Sequence, residues 1–409
     1  MPRSSAPSAS PRPPRPARRG AALLLVVTSV AVMTALAVDL AYATRVSVQM
    51  AANARDELRA EGLARSAMGF ARLVLHFQAQ LDGPAAGGAR PGVASPLASL
   101  GLSLRLWEIV PVTPEVLSLL GSGPSREAGP SFGAFPGSFS AQVEDEDRKV
   151  NVRQFDGLRP FHAVQTARLA ELVKDPRWDF LFDREDANGI RVTRPELFSA
   201  LKDWIDIDET GASYVGGLQV FEPSYGDENA TYDRLADRYR AKNAPLDSLE
   251  ELYLVAGVSD AFMAAFGDRL TVFPDVSATV NVNSDDPREI LLNAVIMGGG
   301  LQPAMLDPTF LDRLRATLAL ARPLPFLVIT PVQFAQALQA NGVRVAPEYQ
   351  SAANTGVTAA FGSRSTTFRI RASGVAGPVR RTIEAVVLFD RRALGLDRDL
   401  GRLVHWHEE

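Results

Sequence analysis

The sequence predicts an α+β chain: a long N-terminal helix packed on a small antiparallel sheet, with a large all-helical insertion. Three features point there. An uncharged apolar run from Ala21 to Val38 leads into a segment that continues without proline as far as Gly83. Segments near 138–155 and 366–390 alternate apolar and polar residues with the two-residue period of strands. Between them, from Leu158 to about Ala340, the apolar period is helical with short breaks. The chain has 409 residues, 46% of them hydrophobic, enough for more than one core.

Taken in order, residues 1–20 are rich in Pro, Arg and Ser and read as a leader. Ala21–Val38 spans about 27 Å as a helix, close to the thickness of a bilayer core, and the apolar character allows a membrane segment over 21–43. The basic flank stays cytoplasmic by the positive-inside rule, which sends the rest outward. A secretory signal would have a shorter apolar core followed by a small-residue cleavage site. Here Leu63, Ala67, Phe70, Val74, Phe77 and Leu81 instead step by four and three, one face of a helix continuing to residue 82. Such a helix is roughly 90 Å long, its first third in lipid and its last third against a globular head.

Residues 83–97 form a Gly/Pro/Ala linker, Leu102–Ile109 alternates as a strand does, and residues 121–137 are a second Gly/Pro/Ser loop. Ser138–Phe155 reads as two strands around the acidic turn Glu144-Asp145-Glu146-Asp147. Thr366–Ala372 and Arg380–Asp390, joined through Ser373–Pro378, read as a hairpin, and Leu403–Trp406 as an added edge strand. The head is thus divided into a first part at 98–157, a helical insertion at 158–345 and C-terminal strands at 346–409. No repeat of fixed period shows.

The formal charge is −4, but the first twenty residues hold five Arg and no acid, which leaves −9 for the rest. An acidic body is the wrong sign for phosphate binding. No cysteine is present, so disulfides, thiolate metal sites, lipoprotein anchoring and Cys nucleophiles are excluded. There is no HExxH, GxSxG, P-loop or Rossmann glycine pattern, and none of the four His lies near a plausible nucleophile, so the chain does not read as an enzyme.

A basic leader ending in Gly20, followed by an apolar helix that merges into an amphipathic one, resembles the type IV pilin and pseudopilin class. That resemblance implies a pilin-like head and a prepilin peptidase cut between Gly20 and Ala21; an unprocessed single-pass anchor is the alternative. The class usually carries Glu at the fifth mature position, where this chain has Leu25. A carboxylate in lipid needs a partner, and in that class the partner is the N-terminus of a neighbouring subunit. A subunit lacking it suits a tip position.

Leu201–Glu209, Tyr239–Leu252, Val255–Val258, Val280–Asn283 with Pro287–Leu292, and the closing Trp406 together resemble the minor pseudopilin K family of type II secretion. The resemblance implies an inner-membrane subunit with its head in the periplasm, placed at the pseudopilus tip beside minor pseudopilins of the I and J kinds and above the major pseudopilin. There it would cap or initiate the pseudopilus that supports export of folded proteins. Alternatives are a membrane-anchored DNA receptor, because Leu252–Val258 and Asn281–Leu292 also resemble helix-hairpin-helix modules, and a minor type IV pilin in adhesion. Against DNA, Pro245–Leu301 contains nine acids and two bases, a charge that repels phosphate.

Calcium is the candidate cofactor. Asp206, Asp208 and Glu209, then Glu222, Asp227 and Glu228, flank a Gly-rich loop, and calcium takes six to eight oxygens in irregular loops. The family resemblance also implies calcium here, although Gly211-Ala212-Ser213 stands where that family usually has Gly-Ala-Glu. A second acidic loop, Asp183–Gly189, is out of EF-hand register. For both loops the plain alternative is a solvated acidic surface. His405 and His407 share a strand face without a third ligand, and Trp178 and Trp204 read as core.

Overall fold

The computed structural model describes residues 19–81, 105–116, 137–155, 160–182, 184–185, 189–216, 220–235, 237–274, 279–322, 324, 327–349, 360–389 and 400–409. The leader before Arg19, the linker 83–97, nearly all of the loop 121–137 and the centre of the loop Asp183–Gly189 lie outside these residues.

Helix α1 runs from Arg19 to Leu81 without a break. Its N-terminal apolar stretch is wholly exposed, while Ala60, Ala64, Ala67, Met68, Phe70, Ala71, Val74 and Leu75 are buried. These recur three and four apart and so lie on one face. The alanines let the sheet approach closely. Opposite them stands Gly374, where a Cβ would sit 2.5 Å from the backbone nitrogen of Ala64 and collide with the Ala60 carbonyl.

The expected face is met at Phe70 and Val74, and Leu63 packs partly buried beside the core. Phe77 departs from it, being 51% exposed. The inward place at this turn goes to Gln78, whose Oε1 accepts the Leu106 N–H at 2.8 Å. An apolar pattern passes over a polar residue that turns inward to satisfy a backbone donor.

Residues 106–109, expected as part of a strand, form the short helix α2 (Leu106–Ile109), after which Val112 bridges Ala141. Trp107 packs edge-on against Phe368, at 4.8 Å between ring centroids. Strand β1 (Ser138–Asp145) follows, and then the second expected strand departs from prediction. Instead of folding back on β1, β2 (Val150–Asn151) pairs in parallel with a strand of the helical region. The acids between them are not a solvated turn. Asp145, Glu146 and Asp147 are buried. Their partners, distant in sequence, explain why: Asp145 Oδ2 accepts from Asn281 and Ser365, Glu146 Oε1 from Arg369, and Asp147 Oδ2 from the Thr366 N–H at 2.6 Å.

The helical region comprises α3 (Pro160–Val173), α4 (Arg194–Ile205), the hairpin β3 (Thr210–Tyr214) and β4 (Phe221–Asp227), α5 (Asp260–Phe266), β5 (Leu270–Thr271), β6 (Val280–Asn281), α6 (Pro287–Met297), α7 (Phe310–Ala321), α8 (Pro331–Ala340) and β7 (Phe361–Gly362). It has two cores. One gathers Val150, Phe155, Leu169, Leu197, Trp204 and Phe266; the other gathers Val280, Ile290, Phe310, Leu314, Phe334 and Phe361. Each opens with Val-Asn-Val, at 150–152 and 280–282. In both, the buried Asn accepts from the N–H two residues on and its strand forms a parallel bridge, β2 to β5 and β6 to β7. This local likeness recurs without a fixed sequence period.

The chain then returns to the head as β8 (Thr367–Ala376), β9 (Val379–Leu388) and β10 (Arg402–Glu408). The sheet order is β1-β8-β9-β10, antiparallel throughout. The expected hairpin and edge strand are both present. Phe368, Ile370, Ala372, Ile383, Ala385 and Val387 face α1 and close the head's core. A long N-terminal helix, a small antiparallel sheet and a large helical region between β1 and β8 make up the predicted fold class.

Candidate functional site

Helix α4 is well specified by its own sequence. Thr193 and Glu196 form a reciprocal capping box and Pro195 stands in the first turn, where its missing N–H costs nothing. Leu197, Phe198, Leu201, Trp204 and Ile205 are buried along one side. The helix stops at Asp206, whose backbone is extended, and the chain turns into the β3–β4 hairpin. That hairpin folds back over the end of α4, and the Ala212 N–H donates to Asp203 Oδ1 at 2.9 Å.

These elements bring Asp203, Asp206 and Glu228 together, all three buried, with one oxygen of each within 4.8 Å of the others. Asp203 and Asp206 are three apart on α4 and so share a face; Glu228 follows β4. Lys202 Nζ is paired with Asp206 Oδ2 and lies 6.0 Å from the centroid of the Phe221 ring. Asn243, held at a positive φ of 47°, donates from Nδ2 to the Asp208 carbonyl at 2.7 Å and to Glu228 Oε2 at 3.2 Å. Behind the acids, Trp204, Tyr232 and Tyr239 stack edge to face or tilted, at 5.1 to 6.1 Å between centroids.

The electrostatics are those of a negative site short of positive charge. Burial, then repulsion from Glu228 and Asp206, pushes the Asp203 carboxyl up to about 7 against the hydrogen bond from Ala212. Burial also raises Asp206, in spite of Lys202, and raises Glu228, which faces Asp206 and Asp208. Asp206 Oδ1, Glu228 Oε1 and Asn243 Oδ1 are buried with no hydrogen-bond partner. Buried acceptors left unsatisfied are costly. The donor set is all oxygen: one oxygen from each of the three carboxylates lies within 4.8 Å of the others, and the Asn243 side-chain oxygen is left unpartnered beside them. That suits a hard divalent cation, so the residues present fit calcium.

Residues 185–275 match the family model of type II secretion system (T2SS) protein K, in the part that describes its first domain. The likeness to protein K is carried by these residues, under a quarter of the chain. No curated protein matches the chain. A chain of the crystal structure of the GspK–GspI–GspJ complex from the type 2 secretion system of enterotoxigenic Escherichia coli is similar at 14% identity and a TM-score of 0.47, over 88% of this chain and 97% of its own.

The protein K match encloses α4, the hairpin and all three clustered acids. Of the six carboxylates expected from the sequence, the fold brings together Asp206 and Glu228. Asp208, Glu209, Glu222 and Asp227 are exposed. Asp208 Oδ1 accepts from the Thr210 N–H and Asp227 Oδ1 from the Asn229 N–H, so both serve turns. Asp203 lies one turn back inside α4, outside the acidic loop, and its signal in the sequence is the i, i+3 spacing to Asp206. The hairpin glycine of the helix-hairpin-helix-like stretch also serves packing: a Cβ on Gly257 would meet Val192 Cγ1 at 2.8 Å.

The other sequence-selected residues lie apart from this site. Gly20, Ala21 and Leu25 are on the exposed apolar stretch of α1. His405 and His407 are on β10, the first with its ring 5.9 Å from Phe273 and the second 3.9 Å from Glu409. Trp204 is buried and Trp178 packs edge-on against Phe266 at 5.0 Å.

Proposed function

We propose that this chain is a minor pseudopilin of type II secretion, anchored in the inner membrane by the first part of α1, with its head in the periplasm and its place at the pseudopilus tip. The observation that carries the reading is the continuity of α1. One unbroken helix passes from an exposed apolar stretch to a face buried against the sheet, in a chain with a protein K domain. Apolar surface of that length left exposed calls for lipid or for neighbouring helices. The leader is cut after Gly20 by a prepilin peptidase, and the subunit assembles with I- and J-type minor pseudopilins above the major pseudopilin. Leu25 presents no carboxylate to a subunit above, and the helical region inserted between β1 and β8 widens the head. Both suit a cap or initiator that supports export of folded proteins.

N-terminal sequencing and intact mass of the protein recovered from membranes test the processing step. A start at Ala21 is expected, and an intact start at Met1 would overturn it. Co-purification with I- and J-type minor pseudopilins tests the assembly, and failure to co-purify would end the tip assignment.

In the same reading, Asp203, Asp206 and Glu228, with Asn243 beside them, hold calcium. The ion neutralises buried carboxylates and clamps the β3–β4 hairpin to the end of α4. Adding calcium to the full chain in detergent is expected to raise its unfolding temperature, and chelation to reverse the gain. An unchanged temperature with no heat of binding would reduce the cluster to an ion-paired acidic corner.

A further inference from the structure

The reading of Asp203, Asp206 and Glu228 as a divalent-cation site leaves Lys202 unexplained. Its ammonium sits on Asp206, one of the acids a cation would use. Lys202 is four residues before Asp206 on α4, so the helix itself holds the two side chains together. Its side chain is largely buried, at 14% exposure, so this is not a solvent-screened surface pair. Asp206 and Glu228 are each more than nine-tenths buried, and each keeps one oxygen without a partner. The lysine therefore satisfies part of the site and leaves the rest open.

We propose that Lys202 is an internal surrogate cation that sets both the affinity and the charge preference of this site. Without a bound ion, it pairs with one of the three buried carboxyls, Asp206. When a cation enters, the ammonium gives up Asp206 and moves toward the Phe221 ring, whose face attracts a cation. Binding is weakened by the ion pair that must be broken. Selectivity follows from charge: once all three carboxylates are ionised to hold a cation, they and one ammonium carry net −2, matched by a divalent ion. Without the lysine the same carboxylates carry −3 and favour a trivalent one. Monovalent ions gain little, because Lys202 already supplies a single positive charge at no cost in association entropy.

The test uses the full chain in detergent, titrated with calcium chloride by calorimetry and with terbium chloride by luminescence sensitised through Trp204, in wild type, K202M, K202R and D203N. K202M is expected to bind calcium roughly tenfold tighter than wild type, the scale of a partly buried ion pair no longer broken, and to gain more for terbium than for calcium. K202R, which keeps the charge, is expected to stay close to wild type, and D203N to lose binding. K202Q should give the same ordering as K202M and replaces it if K202M does not fold. Calcium binding in wild type that is unchanged or weaker in both neutral variants would overturn the role of Lys202 while keeping the site. No calcium binding in wild type or in either neutral variant would remove the cation reading, and this inference with it.

Discussion

Asp203 shows how one buried carboxylate can be costly alone and useful in company. Its carboxyl is held up near 7 by burial and by two acidic neighbours, yet it accepts the hydrogen bond that seats the hairpin. Asp203→Asn keeps that acceptor and removes the charge. In chelator it should stabilise the fold by about 1 kcal/mol, the scale of a one-unit pKa shift, as read by chemical denaturation; with calcium present the variant should gain nothing. Asp147 behaves differently because it has no site to serve. Burial, then repulsion from Asp145, raises its carboxyl from 3.8 to about 7. The folded state thus keeps its proton to higher pH than the unfolded state does, and stability falls as pH rises from about 4 to 7. Asp147→Asn should flatten that window in unfolding curves measured across it. Glu146, next in the chain, goes the other way: burial opposes its ionisation, but Lys149 and Arg369 outweigh it and hold the carboxyl low.

At the scale of elements, α1 carries two environments on one helix. Its lower half packs through small residues, and Gly374 is the matching concession on β8. Gly374→Ala should cost about 1 to 3 kcal/mol by overpacking, visible as earlier proteolysis of the head. Phe70 and Phe77 offer a paired comparison. Phe70→Ala empties a buried position and should cost about 3 kcal/mol, whereas Phe77→Ala, at half-exposed Phe77, should cost less than about 1 kcal/mol, both measured by denaturation. A loss of co-purification with other pseudopilins in the Phe77 variant, at unchanged stability, would show that this ring faces a partner. The β3–β4 hairpin makes the same point about context. Its two strands, with Pro223, Gly211 and Gly226, are poor strand formers, and the hairpin is held by pairing and by Asp203 rather than by its own propensity.

For the whole molecule, the acidic hub at Asp145–Asp147 is where sheet and helical region meet. β1 ends there, and residues from β6, β8 and the segment before β8 converge on three adjacent acids. The helical region is therefore bolted to the head through charge-assisted hydrogen bonds and is more than a loop-tethered appendage. Fractionation should find the full chain with membranes after alkaline extraction, as expected for a helix whose apolar run crosses a bilayer. Recovery in the soluble fraction would contradict the anchor.

Periodicity along the chain was enough to determine the long helix, the β8–β9 hairpin, the edge strand and the helical character of the middle, because these depend on which face of a local element is apolar. The protein K resemblance was likewise legible, since it rests on short ordered runs such as Asp203-Trp204-Ile205-Asp206. Tertiary structure alone decided the fate of the charges. Asp145–Asp147 reads as part of an acidic turn until partners more than a hundred residues away bury it, while Glu144 beside it stays exposed. Four of the six loop carboxylates stay in water, while Asp203, hidden in a helix, joins the cluster. Local pattern reports which surfaces must leave water; which polar groups can follow them inside depends on partners that only the folded chain brings within reach.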